Sequence, residues 1–147
     1  MKLPMEGGCR CGAVRVRVTQ ASLMTTACHC KGCQRMSSSA FSLTGIFLSD
    51  AFEITKGDPV LGGARGPDSH HFFCPQCLTW MFTRPEQLAH IVNVRPTMFD
   101  DATWFAPFME THTKTKLPWA VTGAVHSFAE FPPLEAYEGL MKEFAAR

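Results

Sequence analysis

Cys28-His29-Cys30-Lys31-Gly32-Cys33 places three thiols within six residues, and the rest of the chain reads outward from it. Two further pairs, Cys9-Arg10-Cys11 and Cys74-Pro75-Gln76-Cys77, account for the remaining cysteines of the seven. Thiols this closely spaced point to metal, because a thiolate is a good zinc ligand and a C-x-x-C turn aims two sulfurs at one ion. A disulfide set leaves one of the seven unpaired, whereas four plus three uses them all. Four sulfurs make a closed structural zinc site; three leave one coordination position open for chemistry.

Joining Cys9 and Cys11 to Cys74 and Cys77 ties together positions more than sixty residues apart. Closing so long a loop costs entropy that metal binding offsets, so such an ion acts largely as a staple for the fold. Spacing alone leaves the pairing open, since Cys28 and Cys30 can also complete that first site. For the second site, Cys28, Cys30 and Cys33 can hold zinc with water or a substrate sulfur in fourth place. His29 is the rival fourth ligand. In an extended segment, however, its side chain points away from those of its two neighbours, so a packed or surface imidazole is expected.

Composition narrows the function classes. A chain of 147 residues, 46% hydrophobic, is long enough to bury a real core and reads as a single domain over 1–147. A formal net charge of +1 gives no electrostatic case for a nucleic-acid or acidic-membrane partner. The opening stretch Met1–Gly8 lacks a signal-peptide apolar run, and no apolar segment is long enough to span a bilayer. Clustered thiols that bind metal fit a reducing cytoplasm.

The segments between the cysteines read mostly as strands. Ala13–Val18 alternates, with Val14, Val16 and Val18 toward the core and Arg15 and Arg17 on a solvated face. Gly12 suits a backbone bending around a metal. Thr25–Ala27 is a short strand, Gly32 a tight turn, Ser37–Ser39 a loop, and Ala40–Leu48 and Asp50–Thr55 further strands. Lys56-Gly57-Asp58-Pro59 signals a turn, with loop continuing to Asp68. His70–Phe73 and Leu78–Phe82 are strands flanking a metal knuckle, followed by Leu88–Val94 and an apolar strand over Trp104–Met109 interrupted by Pro107. Of the aromatics there, Trp104, Phe105 and Phe108 read as core rather than as pocket lining. Pro132-Pro133 opens a terminal helix in which Leu134, Tyr137, Leu140, Met141 and Phe144 recur at helical spacing. The expected fold is mainly β: one zinc-stapled domain of small antiparallel sheets with a C-terminal helix.

At its motifs the chain resembles the glutathione-dependent formaldehyde-activating enzyme (Gfa-type) family. The matching pieces are Gly8-Cys9-Arg10-Cys11-Gly12-Ala13-Val14-Arg15, Cys28-His29-Cys30-Lys31-Gly32-Cys33-Gln34-Arg35, Phe73-Cys74-Pro75-Gln76-Cys77 and the hydrophobic-Asp-Asp turn Met98-Phe99-Asp100-Asp101. They run from Gly8 to Asp101, about two-thirds of the chain. The resemblance implies a structural zinc on Cys9, Cys11, Cys74 and Cys77, and a second, active-site zinc on Cys28, Cys30 and Cys33; with three protein sulfurs and one exchangeable ligand, that second zinc is expected to be the labile one. It also implies a carbon–sulfur lyase that joins formaldehyde to the thiol of glutathione, giving S-hydroxymethylglutathione. Leu78 and Ser38 depart from the family, standing where glycine is frequent.

The leading functional reading is therefore a zinc enzyme acting on a small-molecule thiol such as glutathione and a small aldehyde, with Cys28, Cys30 and Cys33 as its catalytic centre. Lys31 and Arg35 can meet a glutathione carboxylate, but solvated surface charges are the expectation for both. Two other classes compete: a non-enzymatic zinc-stabilised binding module, and a reductase using one of the three thiols in redox chemistry.

Overall fold

The computed structural model describes residues 2–66 and 69–147. In chain order its elements are β1 (Met5–Gly8), β2 (Arg15–Val18), β3 (Met24–Cys28), α1 (Lys31–Ser37), β4 (Ser42–Leu48), β5 (Phe52–Lys56), β6 (Val60–Gly66), β7 (Ser69–Phe73), β8 (Trp80–Pro85), β9 (Ile91–Val94), β10 (Met109–Thr111), β11 (His126–Ser127) and α2 (Tyr137–Ala145). The protein is mainly β, built of small sheets with one C-terminal helix. Its residues gather into two compact units, Met1–Ser22 with Ile46–Trp104, and Leu23–Gly45 with Phe105–Arg147.

The first unit carries most of the apolar core. β1, β2 and β5 form an antiparallel sheet in the order β1-β2-β5, with Met5 opposite Val18 and Val18 opposite Phe52. The alternation of β2 works as its sequence suggests: Val14, Val16 and Val18 are buried beside Phe47, Phe52, Phe82, Val92 and Val94. On the opposite face the two arginines are partnered rather than merely solvated. Arg15 reaches both carboxylate oxygens of Asp100 at 3.0 and 2.5 Å, and Arg17 meets Glu6 at 2.9 Å and Glu53 at 2.8 Å. Such partly exposed pairs contribute little each, about 0–1 kcal/mol, but they tie β2 to its neighbours.

β6 to β9 form an antiparallel meander in the same unit. The loop expected from Pro59 to Asp68 is a strand over Val60–Gly66; Pro67 and Asp68 lie outside the described residues. Its glycines hide the strand from any propensity reading, and pairing with β7 supplies the order instead. Gly62 has a packing reason: a Cβ there would come within 2.7 Å of the Phe73 ring.

The second unit holds β3, β10 and β11, which pair in parallel, unlike the antiparallel pairs of the first unit. Met24, Thr25, Thr26 and Ala27 of β3 are all buried, as suits a parallel strand covered on both faces. The strand expected over Trp104–Met109 is absent; β10 begins only at Met109. The preceding residues are held one bond at a time: Thr25 Oγ1 donates to Ala106 O at 2.6 Å, and Phe108 N–H donates to Thr25 O at 3.1 Å. Phe108 is buried, and Trp104, in the first unit, packs edge-on against Phe47 and Phe99. Both are core residues.

Two helical features differ from the sequence reading. The tight turn at Gly32 is the first turn of α1, which has no buried residue and so offers no apolar period to detect. At the other end, Leu134 falls in a 3-10 turn before α2 and is 86% exposed, out of phase with Leu140, which is buried. Phe144 keeps the packed face, its ring 5.4 Å from that of Phe108.

Candidate metal centres

Cys9 and Cys11 follow β1 in a knuckle. Cys9 N–H donates to Val14 O, Gly12 N–H donates back to Cys9 O, and Gly12 takes the left-handed φ of +74° that the turn requires. Cys74 and Cys77 form the matching knuckle after β7, closed by Leu78 N–H to Cys74 O at 3.0 Å. Thr79 Oγ1 accepts from Arg10 N–H at 3.2 Å and also meets Cys77 Sγ at 3.2 Å, so it joins the two knuckles.

The four sulfurs all lie within 4.8 Å of one another, with Cys9 to Cys11 at 3.5 Å and Cys11 to Cys74 at 3.8 Å. A tetrahedron with Zn–S bonds of about 2.3 Å has edges of about 3.8 Å, so the cluster has the size of a zinc site. Its pairing is the one left open by spacing: Cys28 and Cys30 take no part. Cys9 and Cys74 are buried with the apolar core, Cys11 is exposed and Cys77 half-buried. Val14 N–H donates to Cys9 Sγ at 3.3 Å, and hydrogen bonds from the Thr79 hydroxyl and backbone hold the Cys77 thiol down to about 5. These are donors that favour thiolate, the form a metal binds.

The other three sulfurs gather separately, in the second unit. Cys28 ends β3, Cys30 caps the N-terminus of α1, and Cys33 lies in that helix's first turn. Cys33 N–H donates to Cys30 Sγ at 3.3 Å, so a cysteine does the work usually given to Ser or Asp, and capping rules pass it by. All three sulfurs are half-buried and lie within 4.8 Å of one another. Cys33 donates to Cys28, which draws the Cys28 thiol down to about 5 and pushes that of Cys33 up. Lys31 and Arg35 are exposed on α1, Lys31 donating to Gln34 Oε1 at 3.1 Å.

His29 is not a fourth ligand. Its ring is 0% exposed, and Nε2 lies 2.9 Å from Glu110 Oε2. Glu110, 4% exposed, also accepts from Lys116 Nζ at 2.8 and 2.9 Å, from Thr122 at 2.7 Å and from Ser127 at 2.7 Å. Burial raises its carboxyl pKa, and the hydrogen bonds outweigh that, leaving it at about 2. Sequence reasoning missed this network. The available signal was slight: a single acidic residue between Met109 and Thr111.

The model of the family described as glutathione-dependent formaldehyde-activating enzyme matches residues 4–115. The chain belongs to this family. No curated protein sequence matches it closely enough to serve as a relative. Among solved structures it is similar to a Rhodobacter sphaeroides protein at 19% identity and a TM-score of 0.55, over 65% of this chain and 88% of that one, a likeness that shows the fold alone. Membership supports a glutathione- and formaldehyde-related function at the level of the family. Among the described residues no helix is long and apolar enough to cross a membrane.

The two departures from the Gfa-type pattern acquire a structural meaning. Leu78 has φ +57° and Ser38 φ +48°, so both non-glycine residues hold left-handed backbone where glycine costs nothing. Ser38 ends α1, its N–H donating toward Arg35 O and Gln34 O. Leu78 is 70% exposed and gives up little packing on replacement. Leu78→Gly is expected to stabilise the protein by about 0.5–1 kcal/mol after the unfolded chain's gain in freedom is subtracted, raising the thermal midpoint by about 2 °C. A lower midpoint in a melting experiment would show that the side chain contributes more than the backbone strain costs.

Proposed function

We propose that the protein is a zinc-dependent carbon–sulfur lyase of the glutathione-dependent formaldehyde-activating type, joining a small-molecule thiol to a small aldehyde. The observation that carries the reading is the contrast between the two sulfur clusters. One has four sulfurs, two of them buried; the other has three half-buried sulfurs and no fourth protein ligand among the described residues. Cys9, Cys11, Cys74 and Cys77 would hold a structural zinc, and Cys28, Cys30 and Cys33 a second, labile one.

A zinc with an open position supplies a site where an incoming thiol loses its proton and a carbonyl oxygen is polarised. The reaction itself adds a thiol across a carbonyl: a C–S bond forms, the C=O double bond becomes single, and the proton leaves sulfur for oxygen. The reverse step breaks the C–S bond. The chain's own residues orient and expose the site. The α1 cap fixes Cys30 against Cys33, Thr111 hydrogen-bonds the Cys28 sulfur, and all three cysteines keep part of their surface open to solvent. Formaldehyde and thiols combine unaided, so proximity and thiol activation are all the protein must add. A reducing cytoplasm suits these thiols, and glutathione and formaldehyde are the substrates we propose.

Exchange NMR on glutathione and formaldehyde, with zinc-loaded protein at catalytic concentration, tests the proposal. Faster interconversion of the free aldehyde and S-hydroxymethylglutathione is the expected result. Unchanged exchange with both sites loaded would favour the binding-module reading, and thiol loss on peroxide treatment without metal release would favour the reductase.

A further inference from the structure

The backbone between the first two sulfurs of the open cluster is over-determined. His29 N–H donates to Thr111 O at 3.0 Å, while His29 O accepts from Gln34 Nε2 and from Thr115 Oγ1, both at 2.9 Å. The ring is also committed. Because Glu110 is a carboxylate that already accepts from Lys116, Thr122 and Ser127 and has no proton to give, Nε2 carries the imidazole proton and donates to it. The other ring nitrogen, Nδ1, is buried with no hydrogen-bond partner among the described residues, and the Phe41 ring packs across the imidazole at 5.4 Å. Among the described residues Glu110 alone therefore makes the hydrogen bond that orients this ring.

A buried carboxylate is costly to desolvate, and a lone one beside three thiolates would also repel them. Lys116 cancels the charge, and hydroxyls from Thr122 and Ser127 complete the shell. So the network adds an anchor without adding net negative charge. Its donors come from the segment before α1, from the 116–122 stretch and from β11, which makes Glu110 the point where these pieces of the second unit meet.

We propose that Glu110 is a positioning residue for the open metal site, acting through His29 to set the directions of Cys28 and Cys30. Successive side chains in an extended segment point to opposite sides, so pinning the His29 ring inward turns the two flanking sulfurs outward together. The cluster is thus preorganised by protein contacts rather than gathered by the ion. Hydrogen-bond partners of metal ligands commonly alter metal affinity by about 10–100-fold when removed, and Glu110, which acts one residue away from the ligands, is expected at the lower end of that range. The inference rests on reading Cys28, Cys30 and Cys33 as a metal site.

Cobalt(II), added to the reduced full-length chain, is the probe, because its absorption reports both thiolate ligation and coordination geometry. Wild-type protein is expected to bind two equivalents, the second with its own sulfur-to-cobalt and d–d bands. In Glu110→Gln the first equivalent should bind as before, while the second binds at least about tenfold more weakly with altered d–d bands. A merely structural role would weaken both equivalents and leave the second spectrum unchanged. Should Glu110→Gln fail to fold, Thr122→Val and Ser127→Ala each remove one donor while keeping the carboxylate, and each should weaken the second equivalent severalfold. Wild-type affinity and spectrum for the second cobalt in the folded variants would overturn the positioning role while leaving the metal site intact. A wild-type protein that takes only one cobalt would overturn the metal reading and this inference with it.

Discussion

Cys74→Ser is expected to yield insoluble or unfolded protein. Cys74 is 0% exposed, lies within the apolar core of the first unit, and meets Cys11 across 63 positions of sequence. Serine removes one of four sulfurs that could hold a metal and leaves a buried hydroxyl in its place. Structural zinc sites contribute about 10–16 kcal/mol of apparent binding free energy, as much as or more than the about 5–15 kcal/mol that separates folded from unfolded domains. The readouts are soluble yield, zinc content and a circular-dichroism melt. A soluble, zinc-free Cys74→Ser protein with a cooperative melt would show that the four sulfurs do not staple the fold.

Cys30→Ser should behave in the opposite way, keeping its fold and losing the second zinc together with thiol-dependent turnover. The structure explains why this variant isolates the site. Cys30 is the N-cap of α1, its sulfur accepting from Cys33 N–H, and serine is a better N-cap than cysteine. The helix therefore survives the loss of the ligand, and the melting temperature should stay close to that of wild type carrying the structural zinc alone. Rate enhancement in the glutathione–formaldehyde exchange should fall to the uncatalysed level. Matching melts for Cys30→Ser and Cys74→Ser would mean that the two clusters share one role.

Much of this was legible in the order of residues, for physical reasons that vary from place to place. The cysteine pairs announced two clusters because metal ligands must be close in chain or tied by knuckles, and those knuckles are present at Gly12 and Leu78. The valines of β2 were legible because a half-buried strand alternates. β6 was not, since its order comes from β7 and not from its own glycines. α1 was hidden by a sulfur cap and an unburied face. The Glu110 network escaped because it joins residues 81 positions apart, His29 and Glu110, through a contact no local pattern encodes. Leu78 and Ser38 form the converse case: departures visible in sequence, both of which stand on left-handed backbone.

The central claim is that a closed structural centre and an open labile one coexist in one chain, and graded chelation tests it most directly. Protein loaded with two equivalents of zinc under reducing conditions is titrated with a chelator while zinc release and far-ultraviolet circular dichroism are followed together. The account predicts two phases: one equivalent leaves Cys28, Cys30 and Cys33 with the spectrum unchanged, and the second leaves Cys9, Cys11, Cys74 and Cys77 only as the fold is lost. Loss of metal and loss of fold in step from the first addition would contradict it.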